Sequence, residues 1–346
     1  MEVSEIKKKI LDLVYSKDKP DFDGVPNEWW NENGSPRTRR VFLVYNPRSS
    51  KANFVKEQVA SPLRDIPGVM FGKYEVKPTD VDDNAEQLSK ILMDGDIVIA
   101  AGGDGTATIG LNGVMLSGKA VRFMAVPFGN FNDMARTLKR ASGKELYPLE
   151  AKIDGVHYRY AACYFTIGMF AESTEIFDAE KTRKKLRKGN KGIFFSIKTL
   201  VKWYFRNKRK RFIPPFKYSS TTKTYDANGV FQVRVKTMNE DESKGISDYL
   251  AVNGVSVARM MKGGKKFFLH KSDFLSTTGK LSKFYKLAPF MAKAILYRIP
   301  SDITTEDVIV FPDYGDVEIQ AEGEYKKLKH VGKIVISKAE NPIKIL

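Results

Sequence analysis

The sequence is poor in the residues that form disulfides and soft-metal sites. Cys163 is the only cysteine among the 346 residues, so an internal disulfide is excluded and we expect a reducing, cytoplasmic setting. The three histidines, His157, His270 and His330, are far apart along the chain and have no ligand-like neighbours, which argues against a His/Cys metal site. No apolar run approaches the roughly 20 residues of a bilayer span. The N-terminal residues lack the apolar core of a signal peptide, so we expect no secretion.

Positive charge is concentrated in one block of the chain. The net charge is +17, and residues 181–211 hold fourteen Lys and Arg and no acid. An aromatic and apolar run at 193–205 is interrupted by Lys198 and Lys202, whose spacing places both cations on one helix face. Aromatic rings flanked by bases are typical of a helix at an anionic membrane surface. The contacts predicted with the membrane are those of Lys198, Lys202, Trp203, Lys208, Arg209, Lys210 and Arg211.

The same block has two alternative interpretations. It could be a helix that packs in the core, with a solvated face and basic ends. It could also bind nucleic acid, because such patches combine bases with aromatic rings. The pattern of residue types leaves these alternatives open, and we expect no nucleic acid partner.

The hydropathy pattern divides the chain into three parts. Residues 1–38 are predicted to be an N-terminal extension, a short amphipathic helix followed by a Pro-, Gly- and Asn-rich linker. Across 39–150 strands and helices alternate, as in an α/β domain with a parallel sheet; the helix that starts at Ala52 should stop at Pro62. From 151 to 346 the period-two pattern indicates a mainly antiparallel β domain, with the basic block inserted as a helix.

A glycine-rich turn follows the most apolar strand of the α/β part. The strand runs directly into Gly102, Gly103, Asp104, Gly105 and Thr106. Three glycines let bare backbone N–H groups approach an anion, and the carboxyl end of a strand is where open α/β sheets bind ligands. A carboxylate beside phosphates indicates magnesium coordination or general-base work on an alcohol. The alternative, a plain strand-to-helix turn, needs fewer glycines.

Four motifs together resemble the diacylglycerol-kinase-type lipid kinases, in the superfamily of bacterial diacylglycerol kinases and sphingosine kinases. They are VFLVYNPRSS at Val41–Ser50, Thr79 in the next turn, the intact Gly102–Thr106, and PFGNFNDMAR at Pro127–Arg136. The resemblance extends over about residues 40–346. The chain departs from the family pattern at four positions: Ser50, Asn130 and Phe131, and Asp273, which lacks a following glycine.

The resemblance implies a fold, an activity and a set of nucleotide contacts. The fold would be the NAD-kinase/diacylglycerol-kinase-like α/β domain (39–150), followed by a β-rich lipid-substrate domain (151–346). The activity would be transfer of the γ-phosphate of ATP to a lipid hydroxyl, converting diacylglycerol to phosphatidic acid, with Mg²⁺ held by Asp104. The nucleotide-binding residues would be Asn46, Thr79, Gly102, Gly103, Gly105, Thr106, Gly129 and Asn132.

The catalytic base is assigned to one of two acids, Asp104 or Glu324. The family has an Asp-Gly-Glu turn in its active site, and Glu322-Gly323-Glu324 resembles it. By resemblance Glu324 is the base and Asp104 organises phosphate and metal, although the sphingosine kinase branch gives the base role to the glycine-rich aspartate. Composition alone would make EGEYKKL a solvated hairpin.

Local capping roles compete with the functional ones at three further residues. Asn46 could bond either the nucleotide or the backbone of its own turn. Asn132 and Asp133 precede a helix, so ordinary N-capping would also explain them. The predicted Asp133–Arg136 ion pair lies on that helix.

The resemblance also implies partners and a location, and two other functions compete with it. A lipid substrate, an anionic membrane surface and a homodimer are the expected partners, at the inner face of the membrane. A soluble NAD kinase shares the Gly102–Thr106 signature but would not need an interfacial helix. A catalytically weak lipid-binding regulator is the other alternative, which Phe131 permits.

Overall fold

A computed structural model divides the chain into two compact units, residues 1–146 with 343–346 and residues 147–342. The structure describes residues 5, 7, 8, 11, 39–66, 68–129, 132–141, 145–168, 171, 174, 198, 201, 202, 217–225, 231–237, 248–253, 256, 274–279, 303–311 and 317–346.

The described residues of the first unit contain six strands: β1 (Arg39–Tyr45), β2 (Val69–Glu75), β3 (Ile97–Gly102), β4 (Arg122–Pro127), β5 (Glu145–Leu146) and β17 (Ile343–Ile345). They form one sheet in the order β2-β1-β3-β4-β17-β5. Every pairing is parallel except that of β17 with β5. The predicted parallel α/β sheet is therefore confirmed. Residues 343–346 were predicted to belong to the C-terminal domain, whereas they lie in the first unit, where Ile343–Ile345 form the strand beside β4.

Helical segments connect these strands. They are α1 (Ala52–Val55), a π-helical segment (Lys56–Ala60), α2 (Ser61–Arg64), α3 (Val81–Ser89), α4 (Asp104–Ser117) and α5 (Asp133–Arg140). The predicted stop at Pro62 is wrong, because helical backbone continues to Arg64. The Ser61 N–H donates to the Lys56 carbonyl across a π turn, and Pro62 then lies in the first turn of α2, where no intrahelical N–H is needed.

The central strands of the first sheet are buried on both faces. Ile97, Val98, Ile99 and Ala100 of β3 are fully buried, as expected for a parallel strand covered by helices. Ile97 and Ile99 share a core with β1 and with the helical run 52–64. This buried scaffold fixes the carboxyl ends of β1, β2, β3 and β4 along one edge of the sheet.

The second unit is an antiparallel sheet, as predicted. Its strands are β6 (Leu149–Ile153), β7 (Val156–Ala161), β8 (Tyr164–Gly168), β9 (Lys217–Tyr225), β10 (Phe231–Thr237), β11 (Asp248–Asn253), β12 (Phe274–Gly279), β13 (Ile303–Phe311), β14 (Val317–Ala321), β15 (Glu324–Leu328) and β16 (Ile334–Lys338). Among the described residues they follow the order β15-β14-β8-β11-β12-β13-β16-β6-β7, and β9 pairs with both β13 and β10.

A tight hairpin joins β14 to β15 in the second unit. Ala321 pairs with Glu324, and the two residues between them, Glu322 and Gly323, have φ of 53° and 90°. Two successive positive φ values are the signature of a type I′ turn, which matches the twist of the strands it joins. Ile319 and Ala321 of β14 are fully buried, so one side of the hairpin is fixed to the core of this unit.

Most of the basic block lies outside the described residues. Lys198, Val201 and Lys202 are helical and exposed. Among the described residues, no helix is both long and apolar enough to cross a membrane. The other predicted membrane contacts lie outside the part of the chain that the structure describes: Trp203, Lys208, Arg209, Lys210 and Arg211.

Candidate active site

The glycine-rich turn connects β3 to α4 at the carboxyl edge of the first sheet. Gly103 is the N-cap of α4, with extended backbone, and Asp104 is the first residue of the helix. The N–H groups of a first helical turn have no partner within the helix, and they form an anion-binding end. The Phe128 N–H donates to the Gly102 carbonyl at 2.8 Å, which ties the turn to the end of β4.

Two of the glycines are required by close packing inside the protein. A Cβ on Gly102 would lie 2.5 Å from Oγ1 of Thr106, which folds back over it. A Cβ on Gly129 would lie 2.4 Å from the Cα of Gly103. Gly102 was predicted to admit an anion and Gly129 to contact the nucleotide. The structure adds that Gly102 leaves room for the Thr106 side chain, and that Gly129 lets the two turns meet backbone to backbone.

Asn132 shapes the loop between β4 and α5. Its φ is 54°, in the left-handed region, where asparagine is tolerated better than most residues. Its Oδ1 accepts from the Gly129 N–H at 2.7 Å, and its Nδ2 donates to the Gly129 carbonyl at 2.9 Å. The amide therefore holds the loop closed. Asn130 and Phe131, the two departures within this motif, lie outside the described residues.

The Asp104 side chain reaches the first turn of a different helix. Its Oδ1 accepts from the Met134 N–H at 3.1 Å, and the backbone N–H groups of Asn132 and Asp133 also stabilise the carboxylate. Burial outweighs these groups and the nearby Arg136, so the pKa of Asp104 is raised above its ordinary value. Sequence reasoning missed this contact, because it joins residues thirty positions apart.

Asp133 and Arg136 behave as the sequence indicated. Asp133 is the first residue of α5, and its carboxylate accepts from the Arg136 guanidinium one turn later. The predicted ion pair is confirmed. Asp133 is buried, so its carboxylate is held by partners within the protein.

Asn46 and Thr79 follow the carboxyl ends of β1 and β2. Oδ1 of Asn46 accepts from the Arg48 N–H at 2.9 Å, so the turn-capping role is present. The Arg48 guanidinium donates to the Lys77 carbonyl at 2.9 Å and joins the two loops. Thr79 is exposed, and its hydroxyl accepts from Nδ2 of Asn84 at 2.9 Å. Because the strands are parallel, these loops lie along the same edge as the glycine-rich turn.

The second unit carries Glu322 and Glu324 in the β14–β15 hairpin. Glu324 is half-buried at the start of β15. Glu322 is 3% exposed, and its Oε1 accepts from the Cys163 N–H. A solvated hairpin would expose both acids, so the structure separates them by burial. The hydropathy pattern did not predict that Glu322 is buried, because its burial depends on a turn whose residues have positive φ.

The metal-ligating atoms of the first unit would fit a magnesium ion that is bound together with phosphates, but not a magnesium ion bound by the protein alone. The described residues contain no group of three or more His, Cys, Asp or Glu that could hold a metal ion. Mg²⁺ at a phosphate site usually takes one or two carboxylates, with phosphate oxygens and water as its other ligands. The Asp104 carboxylate at the sheet edge is a donor of that kind.

Comparison with known proteins finds a family model and relatives that are similar to parts of this chain. The family model "Diacylglycerol kinase catalytic domain" matches residues 40–159. A protein named "Putative lipid kinase" from Staphylococcus carnosus (strain TM300) is 26% identical, over 71% of this chain and 73% of the relative. A diacylglycerol kinase of Staphylococcus aureus (strain MRSA252) is 27% identical, over 29% of this chain and 32% of its own length.

Two solved structures share the fold. One, titled as a putative diacylglycerol kinase from Bacillus anthracis str. Sterne, gives a TM-score of 0.55 at 14% identity, over 89% of this chain and 97% of that one. Another diacylglycerol kinase structure from the same organism gives 0.51 at 13% identity, over 88% and 96%. The predicted fold class and the predicted resemblance are thus confirmed: residues 40–159 match the diacylglycerol kinase catalytic domain, and the relatives found are named as lipid kinases.

Proposed function

We propose that the protein transfers the γ-phosphate of ATP to a lipid hydroxyl, with diacylglycerol as acceptor and phosphatidic acid as product. The family model and the names of the relatives support a kinase of this class. The Staphylococcus aureus relative is itself named a diacylglycerol kinase, and that name supports the choice of acceptor.

One observation carries the proposal: two turns meet at the carboxyl edge of the parallel sheet. The Gly103–Gly129 approach and the Asp104–Met134 hydrogen bond join them. Phosphoryl transfer depends mostly on positioning and charge neutralisation, so a rigid frame of backbone donors is the machinery it needs. We assign the ATP phosphates to the N-terminal turn of α4 and to the loops that carry Asn46 and Thr79.

Asp104 is assigned to the organisation of phosphate and metal. A magnesium ion bound with ATP would be held by this carboxylate and would neutralise phosphate charge. The side chain already accepts backbone N–H groups of α5, which fixes its direction.

Glu324 is assigned the role of base. Its backbone is fixed by the type I′ turn and by pairing with Ala321, and its side chain is half-buried rather than sealed. In this role Glu324 accepts the proton of the lipid hydroxyl as that oxygen attacks the γ-phosphorus. The buried Glu322 carboxylate accepts from the Cys163 N–H, so we assign it to stabilising the turn and not to the role of base.

The location follows from the acceptor and the basic block. A kinase whose substrate lies in a bilayer has to bring its site to the headgroups, and residues 181–211 supply fourteen bases around an aromatic run. We assign the protein to the inner face of the membrane as a peripheral enzyme. The exposed Lys198 and Lys202 are consistent with a surface role.

An acceptor panel tests the proposal. Purified protein is incubated with γ-labelled ATP and Mg²⁺, and with diacylglycerol, sphingosine, ceramide, total extracted lipid or NAD. The expected result is label in phosphatidic acid. Label in NADP alone would replace the proposal with the NAD kinase, and ATP binding without transfer to any acceptor would favour the regulatory homologue.

A further inference from the structure

Asn84 is a fully buried polar residue whose side chain bonds the loop that carries Thr79, and the proposed chemistry gives it no role. It lies in the first half of α3 and is 0% exposed. A buried amide must satisfy its donors and acceptors within the protein, so its bonds define the surrounding structure.

The hydrogen-bond network fixes which way the amide points. Oδ1 accepts from the Lys77 N–H at 2.8 Å, a group that can only donate. Nδ2 donates to the Asp80 carbonyl at 2.8 Å, a group that can only accept. The two ends of the amide therefore cannot be exchanged, and Nδ2 is the atom that faces Thr79.

The direction of the Thr79 hydroxyl follows from this arrangement. Nδ2 carries only hydrogens, so Oγ1 of Thr79 must act as acceptor in the 2.9 Å bond between them. The hydroxyl proton is then directed away from Asn84. Thr79 is exposed at the carboxyl end of β2, on the edge assigned to ATP.

We propose that Asn84 is a positioning residue that orients the Thr79 hydroxyl as a donor to a phosphate oxygen of ATP. The inference rests on the proposed function, because it needs a nucleotide at this edge. It adds that a buried amide five residues from the contact sets the polarity of that contact. If an acceptor replaced Nδ2, the Thr79 hydroxyl would donate its hydrogen bond to that acceptor. Its lone pairs would then face the phosphate, which they would repel.

A double-mutant cycle on ATP binding tests the assignment. Thr79→Val removes the hydroxyl, and Asn84→Asp keeps Oδ1 but replaces the donor with an acceptor. Each is expected to weaken binding of ATP with Mg²⁺ by about 10- to 100-fold, the range for a hydrogen bond to a charged group. The double variant should bind no more weakly than either single variant, and Thr79→Ser should bind more tightly than Thr79→Val.

The control variant loosens the same loop without touching the hydroxyl. Oδ1 of Asp80 accepts from the Asp83 N–H at 2.8 Å and caps α3, so Asp80→Ala should lower the melting temperature while ATP affinity stays within about twofold of wild type. If Asn84→Asp does not fold, Asn84→Ala takes its place in the cycle, with the same coupling expected.

Additive effects, or an Asp80→Ala loss as large as that of Asn84→Asp, would overturn the orientation role. Unchanged ATP affinity in Thr79→Val, in a protein that still phosphorylates lipid, would overturn the inference and leave the proposed function standing. A wild-type protein that binds no ATP and phosphorylates no acceptor would overturn both.

Discussion

Gly129 and Gly103 lie in direct backbone contact, and a Cβ on Gly129 would be 2.4 Å from the Cα of Gly103 and 2.8 Å from Oδ1 of Asn132. A Cβ on Gly103 would be less crowded, because it would lie 3.4 Å from the Cα of Gly129. The contact is therefore asymmetric: it excludes a side chain at Gly129 more strongly than at Gly103.

This asymmetry predicts different outcomes for the same substitution on the two sides. Gly129→Ala should lower the free energy of unfolding by about 1–3 kcal/mol, because backbone atoms must move apart. It should also weaken ATP binding, since the turns separate. Gly103→Ala should cause a clearly smaller loss of stability. Urea denaturation and ATP titration of both variants check this, and equal losses at the two positions would contradict the packing account.

Asp104→Asn should remove activity without removing stability. The loss of one organising carboxylate should reduce turnover by on the order of 10²-fold or more. Asparagine keeps an oxygen for the Met134 N–H and carries no charge to bury. The variant should therefore be at least as stable as wild type at pH 7, and calorimetry measures this.

The pH dependence of that stability difference has a definite sign. Burial raises the folded pKa of Asp104 above its ordinary value of 3.8, so the carboxyl stabilises the fold most fully below pH 3.8. That contribution is lost as pH rises through the raised folded pKa. The advantage of Asp104→Asn should consequently be smallest below pH 3.8 and should grow toward neutral pH. A variant whose relative stability falls as pH rises would show that the carboxylate is stabilised by its site.

Glu324→Gln should separate binding from chemistry. The amide keeps the shape of the side chain and loses its basicity, so the chemical step should slow while ATP affinity changes little. Single-turnover kinetics with a separate ATP titration measure the two effects. Unchanged turnover here, beside an inactive Asp104→Asn, would move the base role to Asp104.

Glu322 offers a matched comparison in the same hairpin. Its carboxylate accepts from the Cys163 N–H in a buried position, so Glu322→Ala should destabilise the protein by about 1–3 kcal/mol through loss of that acceptor. Glu322→Gln retains an acceptor and should be milder. Thermal unfolding distinguishes this residue from Glu324, whose glutamine variant should unfold like wild type.

Replacing Lys208–Arg211 with glutamine should weaken association with liposomes that contain acidic lipid. Exposed charges are screened within about 10 Å at 0.1 M salt, so wild-type binding should itself fall steeply as salt rises. Activity on vesicle substrate should drop, while activity on a short-chain, water-soluble acceptor should persist. A control variant with the same charge loss at exposed lysines elsewhere should bind like wild type: Lys90, Lys119, Lys329 and Lys333 to glutamine. If the two variants bind these liposomes equally well, the basic block at 181–211 is a solvated face and not a membrane contact.

The parallel sheet and the glycine-rich turn were predictable because their signals are local. The apolar run at Ile97–Ala101 is the pattern of a strand buried on both faces, and three glycines around Asp104 mark a special turn. The antiparallel pattern of the second half was likewise visible in period-two segments. Helix ends were less accurate, because the π turn before Pro62 has no simple sequence signature.

The relationships that build the site are long-range, and local patterns do not contain them. The capping of α5 by Asp104 joins two turns, and the Cys163–Glu322 hydrogen bond joins the ends of two neighbouring strands that lie 159 residues apart in the sequence. The role of Asn84 could not be predicted either, although its partners are close in sequence. An asparagine in the first turns of a polar helix is usually exposed, and only the structure shows that this one is buried. The periodicity of residues 343–345 predicts at most a strand. It does not predict that this strand returns to the first sheet and pairs with β4.

Transfer of label from γ-labelled ATP to diacylglycerol in mixed micelles, measured for wild type and Asp104→Asn side by side, tests the central claim most directly. The account predicts Mg²⁺-dependent formation of labelled phosphatidic acid by wild type and a loss of about 10²-fold or more in the variant. Equal rates for the two proteins, or no labelled lipid from a wild-type protein that binds ATP, would contradict it.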